Sequence, residues 1–113
     1  MIKKLIYVSS PYSHTDESVV EERVLLVTKY VAKLVRDGIM AISPITYGDA
    51  LLKVRKLPSD YAFWNTFCLS LLSKCYKMIV YKIDGWEESI GVKDEIRYCL
   101  ENNIEVEYIE VED

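Results

Sequence analysis

The sequence predicts an α/β fold in which helices cover both faces of a mainly parallel sheet of four to five strands. Three observations favour it. Short apolar runs alternate with longer segments of helical periodicity. The runs at 3–8 and 78–83 are almost continuously apolar, as expected of strands covered on both faces. The 113 residues, half of them apolar, suit one domain spanning 1–113. The architecture is that of a flavodoxin/Rossmann-like three-layer sandwich.

The first half of the chain predicts a strand, a long helix and a second strand. The helix begins at Ser18, which with Glu21 forms a capping-box pattern, or at Thr15. Its apolar residues recur every three or four positions, and Gly38 suits the position just after a helix end. The predicted segments are a strand at 3–8, a loop at 9–14, a helix to 36, a strand at 39–42, a loop at 43–49 and a short helical or irregular stretch at 50–56.

The second half predicts a helix, a strand, a further helix and an edge strand. Ser59 or Asp60 caps the first helix, which runs to about Lys74. The last segment largely alternates apolar residues with glutamate, as expected of an edge strand with one wet face. The predicted segments are a strand at 78–83, a loop at 84–89, a helix at 91–101 and a strand at 104–111.

This β-α-β-α-β-α-β order predicts where a ligand binds. Strands that alternate with helices form parallel sheets through right-handed crossovers. In such sheets the ligand lies beyond the carboxyl ends of the strands. Three predicted loops emerge there, at 9–14, 43–49 and 84–90.

Composition argues against several classes of protein. The net charge of −4 and a pI near 5 give no general attraction to polymeric nucleic acid. No apolar run is long enough to span a membrane, and no export signal is visible, so we expect a cytoplasmic protein, including host cytoplasm if viral. The spacing of Cys68, Cys75 and Cys99 does not suit a metal site, so buried free thiols are expected.

The segment from Ser89 to Glu95 is the best candidate for chemistry. Gly91 lets a ligand approach the backbone at a strand-to-helix junction, and free N–H groups at a helix start suit an anion. Ser89 adds a hydroxyl donor. Glu95 is expected within about the first helical turn, where the helix dipole favours the ionised form that a nucleophile needs. Acidic residues in first turns also serve purely as stabilisers, so spacing alone leaves both roles open.

Aromatic residues in or beside the loops provide flat surfaces for a base. Trp86 is the most suggestive because it lies in a loop, whereas Trp64 lies on a predicted helix and is expected to pack. For Tyr12 and Tyr47, contact with a base and ordinary packing both remain open. His14 has no visible partner in the sequence, so a capping or solvent-exposed role is favoured over catalysis.

Four ordered segments resemble the nucleoside 2-deoxyribosyltransferase-like superfamily, in particular a small branch of uncharacterised domains. The match spans nearly the whole chain. The segments are Ile6-Tyr7-Val8-Ser9-Ser10-Pro11-Tyr12-Ser13, Ser43-Pro44-Ile45, the stretch from Leu57 to Trp64, and the stretch from Gly85 to Ile96 with its Ser89-x-Gly91-Val92-x-x-Glu95-Ile96 pattern.

The resemblance implies cleavage of the N-glycosidic bond of deoxynucleosides or nucleoside 5′-monophosphates. By position, Glu95 matches the nucleophile and Ser89 matches a serine that holds the 5′-phosphate. The segment that flanks base and sugar corresponds to Tyr7, Ser9, Ser10, Pro11 and Tyr12. Trp86 and Gly91 complete the expected substrate-binding set. The chemistry requires no metal or organic cofactor, and related proteins assemble as homodimers or higher homo-oligomers.

One departure from the family pattern leaves an alternative open. Family members usually carry an aspartate in the helix before the third strand, and that position falls at or near Cys68 here. Asp60 or Asp84 is the candidate replacement. If neither serves, the protein is a non-catalytic nucleotide-binding module in which Glu95 contacts a ribose hydroxyl. A ligand-free domain of the same fold is a third reading.

Overall fold

The computed structural model describes residues 1–112, within which four strands form one parallel sheet with four helices around it. The strand order is β2-β1-β3-β4. The elements are β1 (Ile6–Ser9), α1 (Glu17–Arg36), β2 (Ala41–Ile42), α2 (Pro44–Leu52), α3 (Tyr61–Leu72), β3 (Lys77–Tyr81), α4 (Ile90–Glu101) and β4 (Glu105–Ile109).

The predicted three-layer α/β fold is confirmed. β1 is central, because Ile6 pairs with Ala41 of β2 on one side and with Lys77 of β3 on the other. β4 pairs only with β3 and forms the predicted edge. There the Nζ of Lys77 on β3 lies 2.6 Å from the Oε1 of Glu107 on β4. The chain moves outward from β1 to β2 and then returns to the other side of β1. The carboxyl ends of β1 and β3 therefore border the point at which the strand order reverses, which is where such sheets bind ligands.

Successive side chains of the strands point to opposite faces of the sheet and form two apolar cores. One core lies under α3 and α4 and the other under α1. The α3/α4 core contains Tyr7, Leu72, Cys75, Met78, Val80, Val92 and Cys99. The α1 core contains Val8, Val27, Tyr30, Leu34, Ile79, Tyr81 and Ile83. Cys75 and Cys99 are buried free thiols and Cys68 is partly buried.

The predicted loop at 43–49 is wrong, because most of it belongs to helix α2. The Ser43 Oγ accepts hydrogen bonds from the backbone N–H groups of Ile45 and Thr46, both at 3.2 Å. Pro44 occupies the first helical turn, where its fixed φ is favourable and its missing N–H costs nothing. The serine and proline that suggested a loop are therefore a helix start.

The structure corrects the predicted cap of α1 and decides between the two predicted caps of α3. Asp16, rather than Ser18 or Thr15, caps α1, since its Oδ1 accepts from the backbone N–H of Ser18 at 2.9 Å. For α3, Asp60 rather than Ser59 is the cap, with its Oδ2 accepting from the N–H of Phe63 at 3.1 Å. None of the helices within residues 1–112 combines the length and the apolar character of a membrane span.

Candidate functional site

A cavity of about 750 Å³ lies beyond the carboxyl ends of β1 and β3. Its walls come from the loops after those two strands, from the inner faces of α2 and α3, and from the beginning of α4. Among its lining residues are Ser10, Tyr12, His14, Arg23, Gly48, Asp49, Tyr61, Trp64, Cys68, Gly85, Glu88, Ser89, Gly91 and Glu95. The volume lies within the range of small-molecule ligand pockets, which commonly measure about 300–1,000 Å³.

Glu95 lines this cavity and is only 7% exposed. It lies in the second turn of α4, whose inner face packs on β1 and β3. The Tyr7 hydroxyl donates to Oε2 at 2.7 Å, and the Ser9 hydroxyl donates to Oε1 at 2.6 Å. Tyr7 and Ser9 are two apart on β1 and so share a face of that strand. Each carboxylate oxygen is therefore held by its own donor.

Burial governs the protonation of this carboxyl. It raises the pKa of Glu95 from 4.5 to about 7, although the hydrogen bonds from Ser9 and Tyr7 lower it, and nearby Asp94 raises it further. Glu95 lies beyond the first turn, where the helix dipole is weaker, and burial shifts its pKa towards the neutral form. Burial and the adjacent glutamate also raise the pKa of Tyr7 well above its usual value, so Tyr7 remains a donor.

The structure divides the expected substrate-binding residues into two groups. Ser10, Tyr12, Ser89 and Gly91 line the cavity together with Glu95. The other three residues on β1 and its loop do not line it. The hydroxyls of Tyr7 and Ser9 donate to the Glu95 carboxylate, and Pro11 is fully buried. The strand residues therefore position the glutamate rather than border the cavity.

Three further candidates lie away from the cavity walls. The Asp60 side chain caps α3, and the backbone oxygen of Asp84 accepts from Arg23 at 3.1 Å. The Trp86 ring lies 5.7 Å from the Tyr108 ring and packs against the α3/α4 core. The structure therefore brings none of these three to the cavity surface.

A family model with the description "Domain of unknown function (DUF1937)" matches residues 4–111. The chain belongs to the DUF1937 family. A search of curated proteins finds no match. The match spans all four strands and all four helices described above, so every residue of the cavity lies inside the DUF1937 domain.

Several cavity residues of this DUF1937 domain were not singled out from the sequence. Arg23 is 8% exposed and lies on α1, four residues before Val27 and seven before Tyr30 on its buried face. That spacing is a signal that the charge faces inward. Asp49 lines the cavity from α2, and its Oδ2 forms an ion pair with the Nζ of Lys53 at 3.0 Å. Tyr61 donates to Asp94 and thereby connects α3 to α4 beside Glu95.

Cys68, predicted to lie at or near the position where the nucleoside 2-deoxyribosyltransferase-like superfamily usually carries an aspartate, lines the cavity of the DUF1937 domain. Burial and the nearby Glu95 raise the pKa of its thiol to about 11. The thiol is therefore neutral near pH 7, and its reactivity as a thiolate is low. Within residues 1–112, no group of three or more His, Cys, Asp or Glu side chains has a metal-binding arrangement.

Removing the Tyr7 hydroxyl is expected to raise the pKa of Glu95 further, by about one to two units, because a hydrogen bond to a charged group contributes about 1.5–3 kcal/mol. The Tyr7→Phe variant tests this through the carboxyl ¹³C chemical shift of Glu95 across a pH titration. Tyr30→Phe, on the opposite face of the sheet, is the control and should leave the titration unchanged. An unchanged midpoint in Tyr7→Phe would show that this hydrogen bond does not stabilise the ionised form.

Proposed function

We propose that the protein cleaves the N-glycosidic bond of (deoxy)nucleosides or nucleoside 5′-monophosphates, by hydrolysis or deoxyribosyl transfer, with Glu95 as the nucleophile. The observation that carries the proposal is the Glu95 carboxyl, which lines a nucleotide-sized cavity and is fixed by one hydroxyl donor on each oxygen. Its hydrogen-bond partners are neutral hydroxyls, and none of the ion pairs within residues 1–112 includes it.

The proposed reaction proceeds in two displacements. An oxygen of ionised Glu95 attacks the anomeric carbon, and the base departs with the electron pair of the C–N bond. A glycosyl ester on Glu95 results. Water or a second base then attacks the same carbon, and the carboxylate leaves. Tyr7 and Ser9 contribute by holding the attacking group in one orientation, which reduces the entropic cost of the first step.

The cavity walls support a nucleotide ligand. Tyr12, Tyr61 and Trp64 supply aromatic surface for a base. The Ser89 Oγ accepts from the N–H of Val92 at 3.2 Å, so its hydroxyl hydrogen can donate to a phosphate at the start of α4. The positive charge of Arg23 favours the same anionic group. A monophosphate is therefore the preferred substrate class.

A non-catalytic nucleotide-binding module is the second candidate, and Cys68 favours it. A thiol whose pKa is raised to about 11 is a weak proton donor to a departing base. Asp60 and Asp84 are absent from the cavity walls. In this reading Glu95 accepts a hydrogen bond from a sugar hydroxyl and no bond breaks.

Chromatographic detection of free base separates the two candidates. The wild-type protein is incubated with a panel of ribo- and deoxyribonucleosides and their 5′-monophosphates. Free base, together with an acid-quenched protein whose mass has increased by one glycosyl group, is the expected result. The Glu95→Ala variant should show neither product. Saturable binding with no base from any panel member would establish the module instead.

Asp60→Asn is expected to leave base release within about twofold of wild type. Asparagine caps helices as well as aspartate does, so folding is preserved, and the side chain does not line the cavity. Initial rates with the best panel substrate test this. A large loss of rate with an unchanged unfolding midpoint would instead give Asp60 a direct part in the reaction.

Homo-oligomer formation and a cytoplasmic location form part of the same proposal. The resemblance that suggests the activity also suggests a homodimer or larger homo-oligomer. Exposed apolar residues such as Val54, Ile90 and Leu100 provide surface for such contacts. Light scattering coupled to size-exclusion chromatography tests this, and a monomer at all concentrations would contradict it.

A further inference from the structure

Arg23 joins the two loops that border the cavity. Its Nη1 donates to the backbone oxygen of Ser13 at 2.7 Å and approaches that of Tyr12 at 3.5 Å, both in the loop after β1. Its Nη2 donates to the backbone oxygen of Asp84 at 3.1 Å, in the loop after β3. One side chain from α1 therefore connects the loop after β1 with the loop after β3, which lie far apart in the sequence.

The guanidinium lacks a counter-charge among the described residues. None of the ion pairs found within residues 1–112 includes Arg23. Its Nε has no hydrogen-bond partner, and neither has the Oγ of Ser10 in the adjoining loop. Burying a charge without a counter-ion costs several kcal/mol, and carbonyl oxygens compensate only in part. A core that needed only packing would be more stable with an apolar residue here.

Gly85 makes room for this arrangement. Its φ is +96°, and a Cβ built on it would clash with the Nη2 of Arg23. Any side chain at this position must therefore displace the guanidinium. Glycine thus meets two requirements at once, a left-handed backbone and close contact with Arg23.

We propose that Arg23 is a positioning residue that holds the loops 10–14 and 84–88 together and thereby sets the affinity of the cavity for its ligand. Arg23 does not contact Glu95, whose partners Tyr7 and Ser9 lie on β1. Loss of the connection therefore affects ligand binding more than the chemical step. This kinetic consequence rests on the proposed function, whereas the connection between the loops does not.

Hydrogen–deuterium exchange tests the connection without reference to activity. The first variant is Arg23→Lys, which keeps the charge but loses the planar guanidinium. The second is Gly85→Ala, whose added Cβ displaces the guanidinium from the loop after β3. We expect exchange to rise by a factor of about 10 or more in both 10–16 and 84–89, since each broken hydrogen bond lowers the local opening free energy. The informative result is faster exchange at 10–16 in Gly85→Ala, because that variant alters the other loop.

Each variant has a matched control. Gly38→Ala imposes a similar backbone strain, at a φ of +85°, but its Cβ comes no closer than 3.7 Å to Lys3 Nζ at the opposite end of the sheet. Arg36→Lys changes an exposed arginine on the same helix as Arg23. Neither control should alter exchange in the two loops. Faster exchange confined to 84–89 in Gly85→Ala would overturn the proposal.

Kinetics with the best panel substrate test the consequence for binding. We expect KM to rise about tenfold or more in Arg23→Lys and in Gly85→Ala, with kcat within about threefold of wild type. The double variant should be no worse than Gly85→Ala alone, because both changes remove one connection. A fall in kcat at unchanged KM would overturn the positioning role. If the wild type releases no base, the proposed function fails, and the exchange experiment still decides the connection.

Discussion

Glu95→Gln is expected to reduce base release by a factor on the order of 1,000 or more, equivalent to about 4 kcal/mol of activation free energy. Glutamine occupies nearly the same volume and keeps an oxygen that can accept from Tyr7 or Ser9, so the cavity retains its shape. An amide oxygen, however, is a far weaker nucleophile than a carboxylate, and the glycosyl ester does not form.

Single-turnover release of base from the best panel substrate measures this effect. Glu101→Gln is the control, because Glu101 is exposed at the last turn of the same helix. It should retain the wild-type rate. Rates for Glu95→Gln within about tenfold of wild type would exclude a covalent step through this residue and leave only the binding module.

The same substitution is expected to stabilise the fold at high pH. Burial raises the pKa of Glu95 from 4.5 to about 7. Between these values the folded state binds more protons than the unfolded state, so the stability of the wild type falls as pH rises through this interval. Above about pH 7 the whole penalty is present. Each pKa unit corresponds to about 1.4 kcal/mol. The change that Glu95→Gln causes in the free energy of unfolding should therefore be about 3 kcal/mol more stabilising at pH 8 than at pH 4.

Urea unfolding of both proteins from pH 4 to pH 8 tests this. The informative quantity is the difference between their free energies of unfolding, because shared titrating groups cancel in it. Glu101→Gln should give a difference that is nearly independent of pH. A Glu95→Gln difference equally flat across the range would show that the carboxyl is not penalised by burial in the folded state. Opposite effects of one substitution on activity and stability are typical of a functional site.

The strands of the sheet were predictable from the sequence because each has a characteristic local pattern of apolar residues. Continuous apolar runs predicted β1 and β3, and alternation with glutamate predicted the edge strand β4. The reading failed at α2, where Ser43 and Pro44 fit both a loop and a helix start. Only contacts with the rest of the fold resolve that ambiguity.

The candidate site was predictable in part for the same reason. Glu95 stands in a short motif, and its side chain lines the cavity. Arg23 lies in no motif, and its partners are backbone oxygens of Tyr12, Ser13 and Asp84, which carry no residue-specific signal. The direction of the pKa shift of Glu95 was likewise not predictable, because it arises from burial by distant segments.

The attachment of Tyr7 and Ser9 to the central strand has a consequence for how the orientation of Glu95 is lost on unfolding. β1 is hydrogen-bonded on both sides, so these hydroxyls cannot shift along the strand direction without breaking its pairing with β2 and β3. A slip by one residue would present Val8 and Ser10 to the glutamate instead. The orientation of Glu95 is therefore as cooperative as the fold itself. Under rising denaturant, turnover and the sheet should disappear together, while loop-dependent affinity declines earlier.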